Sequence, residues 1–213
     1  MTGGLARRNQ LLLVGVGGQG VLAAAQILGG AAHEAHLPVV VGQLHGMSQR
    51  GGSVQCTVIL GAAESSFLCG HAADTVIAFE PLEALRALPQ MGASTRVVTS
   101  RSQLVPFDAV LANAAPHHVD RIVEQLRQVA GEVHALDTRT LMGSVAESRA
   151  LNLMMLGAAV GLGFLPIPEP TLLAAAYARC GRKHMEANRQ AFLLGRDAFR
   201  AVQTSGEDER VGA

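Results

Sequence analysis

The chain has 213 residues, with 17 basic and 17 acidic side chains, so its formal net charge at pH 7 is zero. Hydrophobic residues make up 49% of it and aromatic residues only 3%. This length fits one α/β domain, and the balanced charge gives no reason to expect nucleic acid or a membrane as a partner. Because no run of about 18 apolar residues occurs, we expect a cytoplasmic protein.

Apolar runs of the β type alternate with helical patterns through the first two thirds of the chain. The predicted strands lie at 11–16, 38–41, 54–60, 75–79, 96–99, 109–111 and 133–136. The predicted helices between them lie at 19–36, 82–88 and 119–130. This alternation is typical of a Rossmann-like, mostly parallel sheet with helices on both faces.

The last third of the chain is helical in pattern, and it predicts helices at 144–162, 169–179 and 182–202. Prolines separate the first two of these helices, and Gly181 separates the second from the third. Residues 204–213 are polar, and we expect them to be disordered. The sequence therefore predicts a single domain over residues 1–203 with a helical C-terminal portion.

A glycine-rich turn, which we call the first glycine motif (residues 15–20), follows the first predicted strand. Gly15, Gly17 and Gly20 have the spacing G-x-G-x-x-G, with Gly18 and Gln19 between them. Such a turn leaves backbone N–H groups at the positive end of a helix, an arrangement that suits a phosphate. The alternative is a tight turn that only lets the strand and the helix pack closely.

The residues after the second predicted strand argue against a nicotinamide dinucleotide. A dinucleotide site needs an acidic residue there to hold the ribose hydroxyls. The sequence instead reads Gly42-Gln43-Leu44-His45, without an acid. NAD(P) is therefore disfavoured, and another anionic group, such as the phosphates of a carried cofactor, stays open.

The second glycine motif (residues 45–54, HGMSQRGGSV) places polar side chains among three glycines between two predicted strands. Arg50 is a candidate for pairing with a phosphate or a carboxylate, or for anchoring an interface. Gln49 is a candidate hydrogen-bonding partner in the same cleft as Gln19. His45 and Arg50 are the only candidates for a catalytic role, and a positioning or structural role for His45 stays open.

Other polar and sulfur-containing residues have simpler interpretations. Cys56, Cys69 and Cys180 form no C-x-x-C pair, which favours reduced thiols over a disulfide, a zinc site or an iron–sulfur cluster. No metal site is predicted. Asp137 follows a predicted strand, and we expect it to cap the next helix. The apolar stripe through Leu153 is expected to be core or subunit interface.

Four segments taken together carry a family resemblance: GVGGQGV, HGMSQRGGSV, ALNLMMLGAAVGLGFLP and KHMEANRQAFLLG. In this order they resemble the gamma-type domain of the 2-oxoacid:ferredoxin oxidoreductases over residues 10–200. Within that family, the resemblance is strongest to the enzymes that act on indolepyruvate. Where an acidic residue is expected shortly before the second motif, this chain has Gln43. That difference bears on substrate preference or cofactor contact.

The resemblance implies that the complete enzyme decarboxylates an aryl pyruvate oxidatively with coenzyme A, giving an aryl-acyl-CoA, CO2 and reduced ferredoxin. It implies that thiamine diphosphate, Mg²⁺ and [4Fe-4S] clusters are held mainly by a large alpha subunit, so that this chain alone binds no cofactor. Ferredoxin would be a partner of this chain only through the complete complex. The candidate cofactor-binding residues are Gly15, Gly17, Gly18, Gln19, Gly20, Gln49, Arg50, Gly51 and Gly52.

Three alternatives remain beside this interpretation. One is a stand-alone nucleotide-binding protein of Rossmann type. The second is a subunit of an oxidoreductase for another 2-oxoacid, such as pyruvate, 2-oxoglutarate or a branched-chain acid. The third is an interaction module without catalytic function.

Overall fold

A computed structural model describes residues 8–45, 52–68, 70–103, 118–143, 150–180 and 184–208 of the chain. Within them, a central sheet has the strand order β2-β3-β1-β4-β5-β6. The strands are β1 Asn9–Val16, β2 Val39–His45, β3 Ser53–Leu60, β4 Thr75–Ala78, β5 Arg96–Ser100 and β6 Glu132–Leu136. β3 is antiparallel to both of its neighbours, and the other pairs are parallel. The prediction of a mostly parallel sheet is confirmed.

Helices cover both faces of the sheet, as predicted. They are α1 Val21–Glu34, α2 Pro81–Arg86, α3 Val119–Arg127, α4 Thr138–Met142, α5 Leu151–Gly161, α6 Glu169–Cys180 and α7 Met185–Asp208, with a 3-10 turn at Leu88–Gln90. One core contains Leu11 and Leu13 of β1 and side chains of α1, α5, α6 and α7. The other contains Leu12 and Val14 of β1 and side chains of α2 and α3.

This division follows from the alternation of side chains along a strand. Leu11, Leu12 and Leu13 are all fully buried, because β1 lies inside the sheet and is covered on both faces. A continuous apolar run is the sequence pattern of such a strand. The chain therefore places the end of β1, where the first glycine motif begins, in the middle of the fold.

Helices α5 and α7 pack with their backbones in contact. A Cβ atom added to Gly157 of α5 would lie 2.0 Å from the Phe192 carbonyl oxygen of α7. One added to Gly195 of α7 would lie 2.0 Å from the Met154 carbonyl oxygen of α5. Glycine at these positions thus permits an approach that any side chain would block.

Several predicted bounds are wrong. β2 continues to His45 instead of ending at residue 41, because all seven of its residues pair with β3. The predicted helix 82–88 is split into α2 and the 3-10 turn. The last helix ends at Asp208 rather than at residue 202. The predicted strand 109–111, residues 144–149 and residues 209–213 lie outside the described residues.

Candidate functional site

The first glycine motif forms the turn from β1 into α1. Gly18 and Gly20 have φ values of +103° and +82°, a backbone region that favours glycine. Gly20 caps α1 without any side-chain hydrogen bond, and the first turn of α1 has no acidic residue. The N–H groups at the positive end of this helix are therefore not occupied by a capping side chain.

Gln19 binds the backbone of its own turn. Its Oε1 atom accepts a hydrogen bond from the Val16 N–H over 2.7 Å, and its Nε2 atom donates one to the Phe79 carbonyl oxygen over 3.1 Å. The residue is 9% exposed. The amide thus links the end of β1 to the end of β4, and Gln19 fixes the shape of the first motif.

Gly15 is needed for close packing. A Cβ atom at this position would lie 2.8 Å from Gln19 Oε1 and Val21 Cγ2, and 2.9 Å from Phe79 Cβ. These distances are shorter than van der Waals contact. Close packing of strand and helix, the alternative that the sequence offered for this motif, is therefore present at Gly15, while Gly18 has open space around it.

The two glycine motifs meet at the carboxyl end of β1. The Gly17 N–H donates a hydrogen bond to the Gly52 carbonyl oxygen over 2.9 Å, next to the pairing of Val16 with Ser53. Of the other candidates in the second motif, Gln49, Arg50 and Gly51 lie outside the described residues, as does the side chain of His45. The structure thus joins the ends of two motifs that are separate in sequence.

This place is the point at which the connections of the sheet change sides. β1 and β4 are parallel neighbours, and α1 after β1 covers one face while α2 after β4 covers the other. A crevice forms at such a point outside the carboxyl ends of the strands, and ligands of open α/β sheets bind there. The first glycine motif therefore lies in the usual position for a ligand.

Two buried acids, Glu80 and Glu83, follow β4 at the same crevice and were not predicted from the sequence. Glu80 is 4% exposed and accepts a hydrogen bond from the Glu83 N–H over 3.0 Å. Burial raises the pKa of Glu80, against the lowering effect of that backbone hydrogen bond. The sequence does contain a signal for this arrangement. Glu80 stands directly before Pro81, a residue that favours the first position of a helix, and Glu83 follows in the first turn.

The strand order gives a second argument against a dinucleotide site. In the dinucleotide-binding fold the second strand lies beside the first and parallel to it. Here β3 lies between β1 and β2 and runs antiparallel to both. The end of β2, where the sequence lacks an acid, is therefore not adjacent to the first glycine motif.

Two cavities that are lined by described residues lie away from both motifs. One of about 660 Å³ lies at the amino end of the sheet, beside Asn9, Asp74 and Arg96. A groove of about 840 Å³ lies between α1 and α6. The cavity beside Ser53 and Glu83 has a volume of about 50 Å³, which is too small for a substrate. None of these three cavities therefore combines room for a substrate with a place at the motifs.

Comparison with known proteins identifies the family. The profile of the pyruvate ferredoxin/flavodoxin oxidoreductase family matches residues 10–198. The chain belongs to this family. The indolepyruvate oxidoreductase subunit IorB of Methanothermobacter thermautotrophicus is 33% identical over 195 residues, which are 92% of this chain and 98% of the relative. The subunit of the same name from Archaeoglobus fulgidus is 30% identical over 88% of this chain and 94% of the relative.

Solved structures of related enzymes have the same fold. The gamma subunit of a keto/oxoacid ferredoxin oxidoreductase from Geobacter sulfurreducens has a TM-score of 0.64 and 21% identity, covering 91% of this chain and 99% of its own. A 2-oxoglutarate:ferredoxin oxidoreductase from Magnetococcus marinus has a TM-score of 0.68 and 18% identity. The likeness covers 92% of this chain but 32% of that one.

Three further residues, Asp137, Asn152 and Leu153, make local hydrogen bonds or core contacts. Asp137 caps α4, because its Oδ1 atom accepts a hydrogen bond from the Thr140 N–H over 3.1 Å, as predicted. The Thr140 hydroxyl also binds this carboxylate and lowers its pKa. Asn152 is buried beside Gly20 and accepts a hydrogen bond from the Leu153 N–H. Leu153 itself belongs to the core.

Neither sulfur nor metal chemistry is supported by the described residues. Cys56 is buried, and burial raises the pKa of its thiol to about 11. Cys180 is partly buried and free, and Cys69 lies outside the described residues. Within the described ranges, no group of three His, Cys, Asp or Glu side chains could hold a metal ion. No described helix has the length and apolar character to cross a membrane.

Proposed function

We propose that this chain is the small subunit of a thiamine-dependent, cytoplasmic 2-oxoacid:ferredoxin oxidoreductase acting on aryl pyruvates such as indolepyruvate. The oxidoreductase family follows from the match over residues 10–198. The substrate class is supported by the two IorB relatives, each of which is at least 30% identical over almost its whole length. One observation carries the site, namely the Gly17–Gly52 hydrogen bond that unites the two glycine motifs.

The proposed reaction breaks the bond between the carboxylate and the carbonyl carbon of the 2-oxoacid. CO2 leaves, the acyl carbon forms a thioester with the sulfur of coenzyme A, and the thiol proton is released. Iron–sulfur clusters would supply the one-electron transfer by which the two electrons left by this oxidation reach ferredoxin, since amino-acid side chains do not supply this chemistry. Thiamine diphosphate, Mg²⁺ and the clusters belong to the large subunit in this proposal.

The role proposed for this chain is to bind an anionic part of coenzyme A at the edge of the shared site. The first glycine motif fits a phosphate, because α1 begins at Gly20 without a capping side chain and without an acid in its first turn. Gly18 has no side chain, and the space that its Cβ atom would occupy is open, so a ligand can approach the backbone there. Arg50 is proposed to pair with the same anion.

The first test is reconstitution with the candidate large subunit. We expect 2-oxoacid-dependent reduction of a viologen dye only when both chains and coenzyme A are present. Arg50→Ala should lower this activity at least tenfold while the complex stays intact, and the exposed Arg121→Ala in α3 serves as the matched control. Activity that does not depend on this chain would contradict the proposal.

The preferred substrate is tested by the same assay. We expect kcat/KM for indolepyruvate and phenylpyruvate to exceed that for pyruvate and 2-oxoglutarate by at least tenfold. A preference for a small or acidic 2-oxoacid would keep the subunit assignment and overturn the aryl-pyruvate assignment. A calorimetric titration with NAD tests the alternative of a stand-alone nucleotide-binding protein. We expect no heat of binding.

A further inference from the structure

The exposed large hydrophobic side chains concentrate at one edge of the sheet. Among the described residues there are five of them, and four lie on or beside β2: Leu37, Val41, Leu44 and Phe67. Phe67 is 68% exposed and Leu44 is 50% exposed. The fifth, Val129, follows α3 at the other side of the molecule. Single exposed hydrophobic residues are ordinary, but a concentration of them marks an interaction surface.

Phe67 is held outward by its neighbours. The Thr57 hydroxyl of β3 donates a hydrogen bond to the Ser66 carbonyl oxygen over 2.6 Å, and Ser65 Oγ accepts one from the Phe67 N–H over 3.1 Å. On the following side, Leu68 packs against the second core. Because the chain is fixed on both sides of Phe67, its exposure is a property of the fold.

Leu44 and Phe67 lie on the same face of β2 and β3. Gly42 and Leu44 are alternate residues of β2 and therefore point to one face. A Cβ atom on Gly42 would lie 2.4 Å from Ser66 Oγ, so the segment that carries Phe67 rests directly on this strand. The residues Gly42, Leu44, Ser66 and Phe67 surround a cavity of only about 20 Å³. The face is thus nearly flat and offers apolar side chains rather than a ligand pocket.

β2 also has a backbone edge that no other described strand pairs with. β2 is the terminal strand of the sheet and pairs only with β3 among the described strands. Residues 39–44 contain no acidic residue, lysine, arginine or proline. Proteins usually protect such an edge with charge, proline or a bulge, because an unprotected edge recruits another chain. At the opposite edge β6 is shorter and carries the half-exposed Glu132, paired with His134.

We propose that this edge of β2, together with Leu44 and Phe67, is the surface on which the large partner subunit docks. This inference rests on the proposed function, which supplies the partner. The surface is continuous with the proposed site, because β2 leads directly into the second glycine motif. In the 2-oxoglutarate:ferredoxin oxidoreductase, the part that is similar to this chain makes up only 32% of the longer chain. The same fold there belongs to a chain that also contains other parts of the enzyme.

The test measures the dissociation constant of the purified chain and its large subunit by calorimetry. Leu44→Lys and Phe67→Lys should each weaken binding at least tenfold, and Val129→Lys, the matched exposed control, should change it less than twofold. Because all three side chains are exposed, we expect the variants to keep the wild-type melting temperature within a few degrees. Hydrogen exchange of the β2 amides should slow in the complex.

The outcomes separate the two proposals. If wild type does not bind the large subunit at all, the proposed function fails, and the docking surface fails with it. If wild type binds but Leu44→Lys and Phe67→Lys bind equally well, only the docking surface is overturned. If the isolated chain forms a dimer that Leu44→Lys disrupts, while binding of the large subunit is unchanged, the edge serves a second copy and the proposal is also wrong.

Discussion

The Ser53 hydroxyl donates a hydrogen bond to Glu83 Oε2 over 2.5 Å, and this bond joins the start of β3 to helix α2. Glu83 is 3% exposed and forms an ion pair with Arg86. Ser53 directly follows Gly52, whose carbonyl oxygen binds the first glycine motif. A buried carboxylate therefore fixes the end of the second glycine motif against α2.

Removing the Ser53 hydroxyl should destabilise the fold. Because the bond has a charged acceptor, we expect Ser53→Ala to lower the free energy of unfolding by about 1–2 kcal/mol in urea. A double-mutant cycle with Glu83→Gln should show a coupling above about 0.5 kcal/mol. The exposed Ser94→Ala serves as the control. Strict additivity of the two substitutions would show that the bond does not contribute.

Gly15→Ala should destabilise the protein by about 1–3 kcal/mol, since the new methyl group meets Gln19, Val21 and Phe79 at once. Gly30→Ala in α1 is the matched control. Its Cβ atom would lie 3.8 Å from Ala175 Cβ, an ordinary contact, and alanine should stabilise the helix by about 0.5–1 kcal/mol. Urea unfolding measures both, and equal effects would contradict the packing argument.

Gly157→Ala should be more damaging than Gly15→Ala. The obstacle is the backbone carbonyl of Phe192, which cannot rotate away as a side chain can. Because the substitution forces α5 away from α7, we expect it to lower the free energy of unfolding by about 3 kcal/mol or more. The melting temperature checks this directly, and soluble yield gives a second measure if the variant does not fold. A melting temperature equal to that of wild type would show that the two helices shift apart without loss.

Glu80→Gln should change how stability depends on pH. Burial raises the pKa of Glu80 in the folded state, so the native protein binds this proton more tightly than the unfolded chain does. Wild type should therefore lose stability relative to Glu80→Gln as the pH rises from 4.5 through the raised pKa. The glutamine Oε1 atom can still accept the Glu83 N–H bond.

Urea unfolding at several pH values, with the exposed Glu124→Gln as control, measures the effect at Glu80. The stability difference between Glu80→Gln and wild type should grow toward neutral pH, whereas the Glu124→Gln difference should change less. A Glu80→Gln difference that is constant over this range would contradict the raised pKa.

Local sequence patterns were sufficient to predict the alternation of strands and helices and the position of the first glycine motif. Leu11–Leu13 are apolar because β1 is covered on both faces, and that requirement is visible in the sequence. The cap at Asp137 was predictable for a similar reason, since it involves residues close together in the chain. These features depend on neighbours within one element.

Features that depend on distant partners were not predictable. The antiparallel insertion of β3 depends on its pairing with β1 and β2, and the length of β2 depends on β3. Gln19 was expected to face a ligand cleft, but its amide binds the Phe79 carbonyl oxygen sixty positions later. The contact of Ser53 with Glu83 likewise joins separate segments. No periodicity within either segment encodes such a pairing.

The position of β3 between β1 and β2 has a consequence for the order of folding. β2 and β3 are neighbours in the chain, so they can form a hairpin within microseconds, on the order of 1–10 μs. Pairing of β3 with β1 closes a longer loop and is expected to be slower. Since the pairing of β3 with β1 brings Gly17 to Gly52, the candidate site is expected to form at that later step.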